Sequence, residues 1–140
     1  MASLAQKLGL KPGQAICLLE ATPETAQVIR AACAEDVDGG VTISETLDGA
    51  PFNMIFFWPR ELVGLAERFA ALQRQIVSDG AIWVVIPKKA VAQRRGRTLT
   101  WEEMQGAALT TDLVDNKNAS MTDEEYGTRF VIRKERRSQE

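Results

Sequence analysis

The side chains in this chain that could do chemistry are limited first by an absence: histidine does not occur. Without it the commonest general base, the commonest zinc ligand and the Ser-His-Asp or Cys-His way of activating a nucleophile are all missing. Cys17 sits in an apolar run and Cys33 in a helical pattern, outside any Cys-x-x-Cys spacing, so both read as small buried hydrophobes rather than redox groups. The polar residues that remain fall into three groups. Glu20, Thr22, Trp58, Arg60, Lys88, Lys89, Asp115, Asn116 and Lys117 follow or close apolar runs. Lys88, Lys89, Arg94, Arg95 and Arg97 crowd a stretch that holds no acid. Glu45 stands alone, just past Val41–Ser44.

What these groups can do depends on the elements that carry them. Ala15–Leu19 is a continuous apolar run, as a strand covered on both faces would be. Thr22 is placed as an N-cap with Pro23 in the first helical turn, and Ala26, Ile29 and Cys33 recur on one face of the helix that follows. Val41–Ser44 reads as a short strand near an edge, and Phe52–Trp58, the most apolar stretch, as a central strand. Leu62, Leu65, Ala66, Phe69, Leu72 and Ile76 step at helical spacing, and Ser78-Asp79-Gly80 reads as the close of that helix. Ala81–Ile86 is then another buried strand. Residues 90–99 read as a mobile basic loop, and Thr100-Trp101-Glu102-Glu103 as a capping box that opens a helix, with Leu99 and Met104 spaced for a hydrophobic staple. Residues 113–117 and 127–133 are the last strands, with 118–126 a connecting loop and a frayed tail from about residue 134.

Strands that alternate with helices predict a three-layer α/β sandwich with a mostly parallel sheet of six strands, in a single domain over residues 1–140. Composition agrees: 45% hydrophobic and 26% charged residues place the chain among globular domains and away from disordered ones. A net charge of −2 gives no bulk attraction to nucleic acid or membrane. The opening Met1–Leu8 is too short and polar for a signal-peptide core, and no apolar run approaches membrane-spanning length. These features predict a cytoplasmic protein without a membrane partner.

The run Phe52–Trp58, helix, Gly80–Lys88, helix and two final strands resembles the C-terminal half of a class I S-adenosylmethionine-dependent methyltransferase. More specifically, Leu10-Lys11-Pro12-Gly13, the segment from Asp79-Gly80-Ala81-Ile82-Trp83 to Pro87-Lys88-Lys89, and Leu113-Val114-Asp115-Asn116-Lys117 with Arg129-Phe130-Val131 resemble a family of small bacterial proteins known as domain of unknown function 3052. That resemblance spans nearly the whole chain. It implies a Rossmann-like fold with strand order 2-1-3-4-6-5, the last strand antiparallel and inserted between the fourth and fifth, and it implies no activity.

A methyl-donor site needs a glycine-rich turn after the first strand and an acid closing the second. The turn here is Glu20-Ala21-Thr22-Pro23-Glu24, without glycine. Pro23 removes a backbone donor, and Glu20 and Glu24 add negative charge, which disfavours an anion at that turn. Glu45 could hold ribose hydroxyls or could simply be solvated. Asp115-Asn116-Lys117, read at the end of a strand, could orient a substrate or could tie down the following loop. In an open parallel sheet, ligands bind beyond the carboxyl ends of the strands. The candidate ligand-binding set is therefore Glu20, Thr22, Glu45, Trp58, Lys88, Lys89, Asp115, Asn116 and Lys117, with Arg94, Arg95 and Arg97 as anion contacts.

No catalytic residue, metal site or cofactor is expected, and S-adenosylmethionine is not expected to bind. The function this supports is a non-catalytic Rossmann-like binding or regulatory module for a small-molecule ligand. The alternatives are an enzyme with a degenerate S-adenosylmethionine or nucleoside pocket, and a nucleic-acid-associated protein that uses the basic loop 88–97.

Overall fold

In the computed structural model, which describes residues 3–136, the sheet has six strands in the order β2-β1-β3-β4-β6-β5. The strands are β1 Ala15–Leu19, β2 Thr42–Ser44, β3 Phe52–Phe57, β4 Ile76–Pro87, β5 Leu113–Ser120 and β6 Glu125–Ile132. β2, β1, β3 and β4 pair in parallel, while β6 runs antiparallel to both β4 and β5. This is the topology the sequence resemblance implies. The helices are α1 Leu4–Leu8, α2 Pro23–Asp36, α3 Leu65–Gln73, α4 Lys89–Arg94 and α5 Trp101–Leu109.

Period-two alternation along the strands divides the core into two layers. Ile16, Leu18, Met54, Phe56, Trp83 and Val85 pack against α1 and α2 on one face of the sheet. Cys17, Ile55, Phe57, Ile82, Val84 and Phe130 pack against α3 and α5 on the other. Both faces are covered, which explains the continuous apolar runs of β1, of β3 from Met54 and of β4 from Ala81.

Three element boundaries differ from the sequence expectation. The helix expected from Leu62 begins at Leu65, because Gly64 at φ 75 is a left-handed cap, and Leu62 and Val63 are left exposed. That helix ends at Gln73, and Ile76 already pairs with Phe52 in the sheet, so Ser78-Asp79-Gly80 lies inside β4 and closes no helix. Gly80 fits the irregular register there: a Cβ on it would lie 2.9 Å from the Asn53 carbonyl oxygen. The loop expected over 118–126 shrinks to a tight turn at 121–124, because β5 runs on through polar residues as a half-solvated edge strand.

The basic segment is the largest correction. Residues 90–99 are not a loop throughout, for Lys89–Arg94 is the helix α4. Its anchors are the buried Val91, the Lys88 amide donating to the Glu124 carbonyl at 2.8 Å, and ion pairs from Arg94 and Arg95 to Glu124 and Glu125. The capping box of α5 is present as expected, with Thr100 and Glu103 exchanging side-chain and backbone bonds. At the C-terminus Lys134–Arg136 forms a 3-10 turn, and the rest of the tail expected to fray lies outside the described residues.

Candidate functional site

Beyond the carboxyl end of β1, where a ligand would sit in such a sheet, the structure places the carboxylate of Glu125. Glu125 opens β6 beside Pro87, the last residue of β4, and only 2% of it is exposed. Its Oε1 accepts from Thr22 Oγ1 at 2.7 Å, from Thr25 Oγ1, and from Trp58 Nε1 at 3.3 Å. Its Oε2 accepts from Arg95 Nη1 at 2.7 Å. Burial pushes the carboxyl pKa up, but the bonds from Thr25, Arg95, Thr22 and Trp58 together outweigh burial and hold it below the ordinary glutamate value.

The anion at the Thr22 turn is therefore the chain's own carboxylate. The donors are side chains, so Pro23 costs the site nothing. Glu20 is turned away: it adopts φ 62, and both its carboxylate oxygens accept from Arg68. The Arg68 hydrogen bonds hold the Glu20 pKa below its usual value despite partial burial, and the same guanidinium stacks on Phe57 at 4.6 Å.

Of the expected ligand-binding residues, Thr22 and Trp58 converge on Glu125, and Arg95 joins them. Thr22 occupies the N-cap of α2, but its hydroxyl serves Glu125 instead of the helix. Glu45 is exposed and pairs loosely with Arg30 of α2 at 3.8 Å. Lys88 caps α4 with its backbone. Asp115, Asn116 and Lys117 are not at the carboxyl end of their strand, because β5 continues to Ser120. There Asp115 accepts from Gln105 at 3.1 Å, Asn116 falls at a register shift, and Lys117 Nζ donates to the Lys7 carbonyl at 2.6 Å. This block ties α1 and α5 to an edge strand partway along β5, away from Glu125.

Glu125 falls in the stretch 118–126 that the sequence reads as a connecting loop, so nothing there marks it as a site residue. The usable signal was Tyr126-Gly127 behind it. A Cβ on Gly127 would lie 3.0 Å from the Trp83 ring, the close approach expected inside a packed strand.

A cleft of about 420 Å³ opens on the opposite face of the same edge, where α4, the 95–100 linker and the start of α5 meet the ends of β4 and β6. Ile86, Pro87 and Leu99 give it apolar walls, Trp101 and Tyr126 aromatic ones, and Lys89, Gln93, Arg97 and Glu102 polar ones. Strand alternation explains the division, since Glu125 and Tyr126 are consecutive in β6 and point to opposite faces. Burial pushes the Tyr126 pKa up and Glu102 adds to that rise. Burial lowers the Arg97 pKa, and so do Arg60 and Arg95 nearby, against an opposing effect of Glu125.

The remaining chemistry is quiet. Burial, with a smaller contribution from Glu45, pushes the Cys17 thiol up to about 11, and burial raises Cys33 as well. Among the described residues no three His, Cys, Asp or Glu side chains gather to hold a metal ion, and no helix is long and apolar enough to cross a membrane.

The order of strands, the inserted antiparallel β6 and the edge at which both regions lie define a methyltransferase-like Rossmann fold. Known structures bear this out. The chain is similar to a putative type 11 methyltransferase from Sulfolobus solfataricus, with TM-score 0.58 at 10% identity over 97% of this chain and 93% of that one. It is similar also to the N-methyltransferase NodS from Bradyrhizobium japonicum WM9, with TM-score 0.56 at 10% identity over 92% and 91%. Identities this low establish the fold alone. By sequence the chain belongs to the family described as protein of unknown function (DUF3052), whose model matches residues 5–134. No curated protein matches it in sequence.

Proposed function

We propose that this protein is a non-catalytic binding module that takes a small-molecule ligand in the cleft between α4 and α5 and does not use a methyl donor. The observation that carries this reading is the buried Glu125 carboxylate. It occupies the edge beyond β1 with four donors directed at it, so a donor molecule would have to displace a group held by the fold itself. The glycine-free turn acts in the same sense, and the chain offers no histidine to serve as a base. Likeness to methyltransferases supports the scaffold and not the reaction, because one fold hosts many functions.

A small ligand is favoured over nucleic acid because Arg94 and Arg95 are already paired with Glu124 and Glu125, which leaves fewer free cations than the sequence counts. Calorimetric titration of the full chain with S-adenosylmethionine tests the reading. No binding heat is expected. Micromolar affinity, about −8 kcal/mol, would overturn it and restore the degenerate-pocket enzyme.

A further inference from the structure

The cleft between α4 and α5 contains a wall fixed in advance and polar groups without an ion pair or side-chain hydrogen bond among the described residues. Trp101 Nε1 donates to Thr128 Oγ1 at 2.8 Å, and Thr128 Oγ1 donates onward to Asn118 Oδ1 at 2.6 Å. Thr128 is fully buried, so the indole plane is set from behind before any ligand arrives. In front of it, Lys89 and Arg97 form no ion pair, and the Tyr126 hydroxyl no hydrogen bond, with any described residue. Lys89 and Arg97 come from α4 and the linker, whereas Glu102 comes from α5, so the cleft is cationic at one wall and acidic at the other.

The chemistry of a matching ligand follows from this layout. An aromatic plane set by hydrogen bonds favours a planar ring, which stacks at little entropic cost. Two cations on one wall match a group near charge −2, which a phosphate monoester carries at neutral pH and a carboxylate does not. The guanidinium fork of Arg97 suits two phosphate oxygens. Glu102 can accept only from an N–H or O–H at the far edge of the ring. A volume of about 420 Å³ falls in the usual range for small-molecule pockets.

We propose that this cleft binds a phosphate-bearing compound with a planar, donor-edged ring, of about mononucleotide size. The ring stacks on Trp101, the phosphate lies on Arg97 and Lys89, and the ring edge donates to Glu102. The proposal rests on the reading of this cleft as the ligand site.

The test is an NMR titration of the full ¹⁵N-labelled chain, read at the Trp101 indole N–H, which Trp101→Phe identifies among the three tryptophans. Adenosine 5′-monophosphate is expected to shift that signal to saturation, with adenosine and inorganic phosphate each binding more weakly by about tenfold or more. Arg97→Ala is expected to weaken the monophosphate by about tenfold while the Trp58 and Trp83 signals hold their positions, which shows the fold intact. A Trp101 signal unmoved by millimolar monophosphate overturns the proposal, and so does binding that Arg97→Ala leaves unchanged. Adenosine binding as tightly as the monophosphate removes the phosphate from it. If benzoate moves Trp101 and the monophosphate does not, the ligand class is wrong and the cleft still stands as a ligand site. If S-adenosylmethionine moves the Trp58 signal instead, the binding-module reading itself fails.

Discussion

Glu125 and Tyr126 are neighbours in the chain and feed two regions that differ in one respect. Around Glu125 the polar atoms answer one another: two threonine hydroxyls, an indole N–H and a guanidinium meet a single carboxylate. Around Tyr126 they do not, for Lys89 and Arg97 face a cleft of about 420 Å³ with no ion-pair partner among the described residues. The first region has the character of a finished structural joint, linking α2, β3, β6 and the segment after α4. The second has open valence, which is what a binding site presents. Proximity to the expected ligand edge does not separate them, since both lie at the carboxyl ends of the strands. Satisfaction of hydrogen bonds does.

The sharpest way to break this comparison is to remove the joint. Glu125→Ala leaves Thr22, Thr25, Trp58 and Arg95 without their acceptor, and is expected to cost about 3 kcal/mol. For a chain of this length that lowers Tm by about 10 °C. A loss below about 1 kcal/mol by denaturant titration would mean that the joint is decoration.

The two arginines come next, because they lie close together and should behave differently. Arg95→Ala removes a charged bond to a buried carboxylate and is expected to cost about 2 kcal/mol. Arg97→Ala, at the open cleft, should change stability by no more than about 0.5 kcal/mol. Equal costs in chemical unfolding would erase the distinction between joint and cleft.

Acid stability sharpens the same contrast. The folded pKa of Glu125 is depressed, so its contribution is fully present above the ordinary glutamate value of 4.5 and is lost as the pH falls through the lowered folded value. Glu20 shares this direction through its bonds to Arg68. Unfolding curves taken across that window for the parent and Glu125→Gln therefore isolate the Glu125 share. The parent should lose stability more steeply on acidification, and parallel curves would contradict the assignment.

Smaller effects are expected away from both regions. Arg68→Ala breaks a half-exposed pair with Glu20 and should cost under about 1 kcal/mol. The thiols of Cys17 and Cys33 are buried and hard to ionise, so thiol-reactive reagents should label neither in the native protein at neutral pH. Rapid labelling would reveal local opening near α2.

The architecture could be read in the sequence because it rests on local signals: apolar runs of strand length, helical spacing of large side chains and the Thr100–Glu103 capping box. Burial on two faces writes a continuous apolar run, and an amphipathic helix writes a periodic one, so β1, β3, β4 and α2 announce themselves. The boundaries around Leu62, Ser78 and Asn118 did not, since at each place a partner strand or a left-handed glycine overrides what the local pattern suggests. β5 is the clearest instance. Asp115-Asn116-Lys117 continues as a strand because β6 pairs with it, and no property of those three residues requires that.

The candidate sites divide in the same way. Sequence alone determined which side chains were present: no histidine, two thiols outside a metal spacing, a glycine-free turn and a basic run between Lys88 and Arg97. Only the tertiary structure decided which of them meet. Glu125 lies 103 positions from Thr22, 67 from Trp58 and 30 from Arg95, so no local pattern could connect it to them. The same folding that closes this joint pairs Arg95 and leaves Arg97 without an ion pair among the described residues, although the two differ by two positions in one basic segment. Charge type is a property of the residue, whereas the partner that neutralises it, or its lack, is a property of the packed chain.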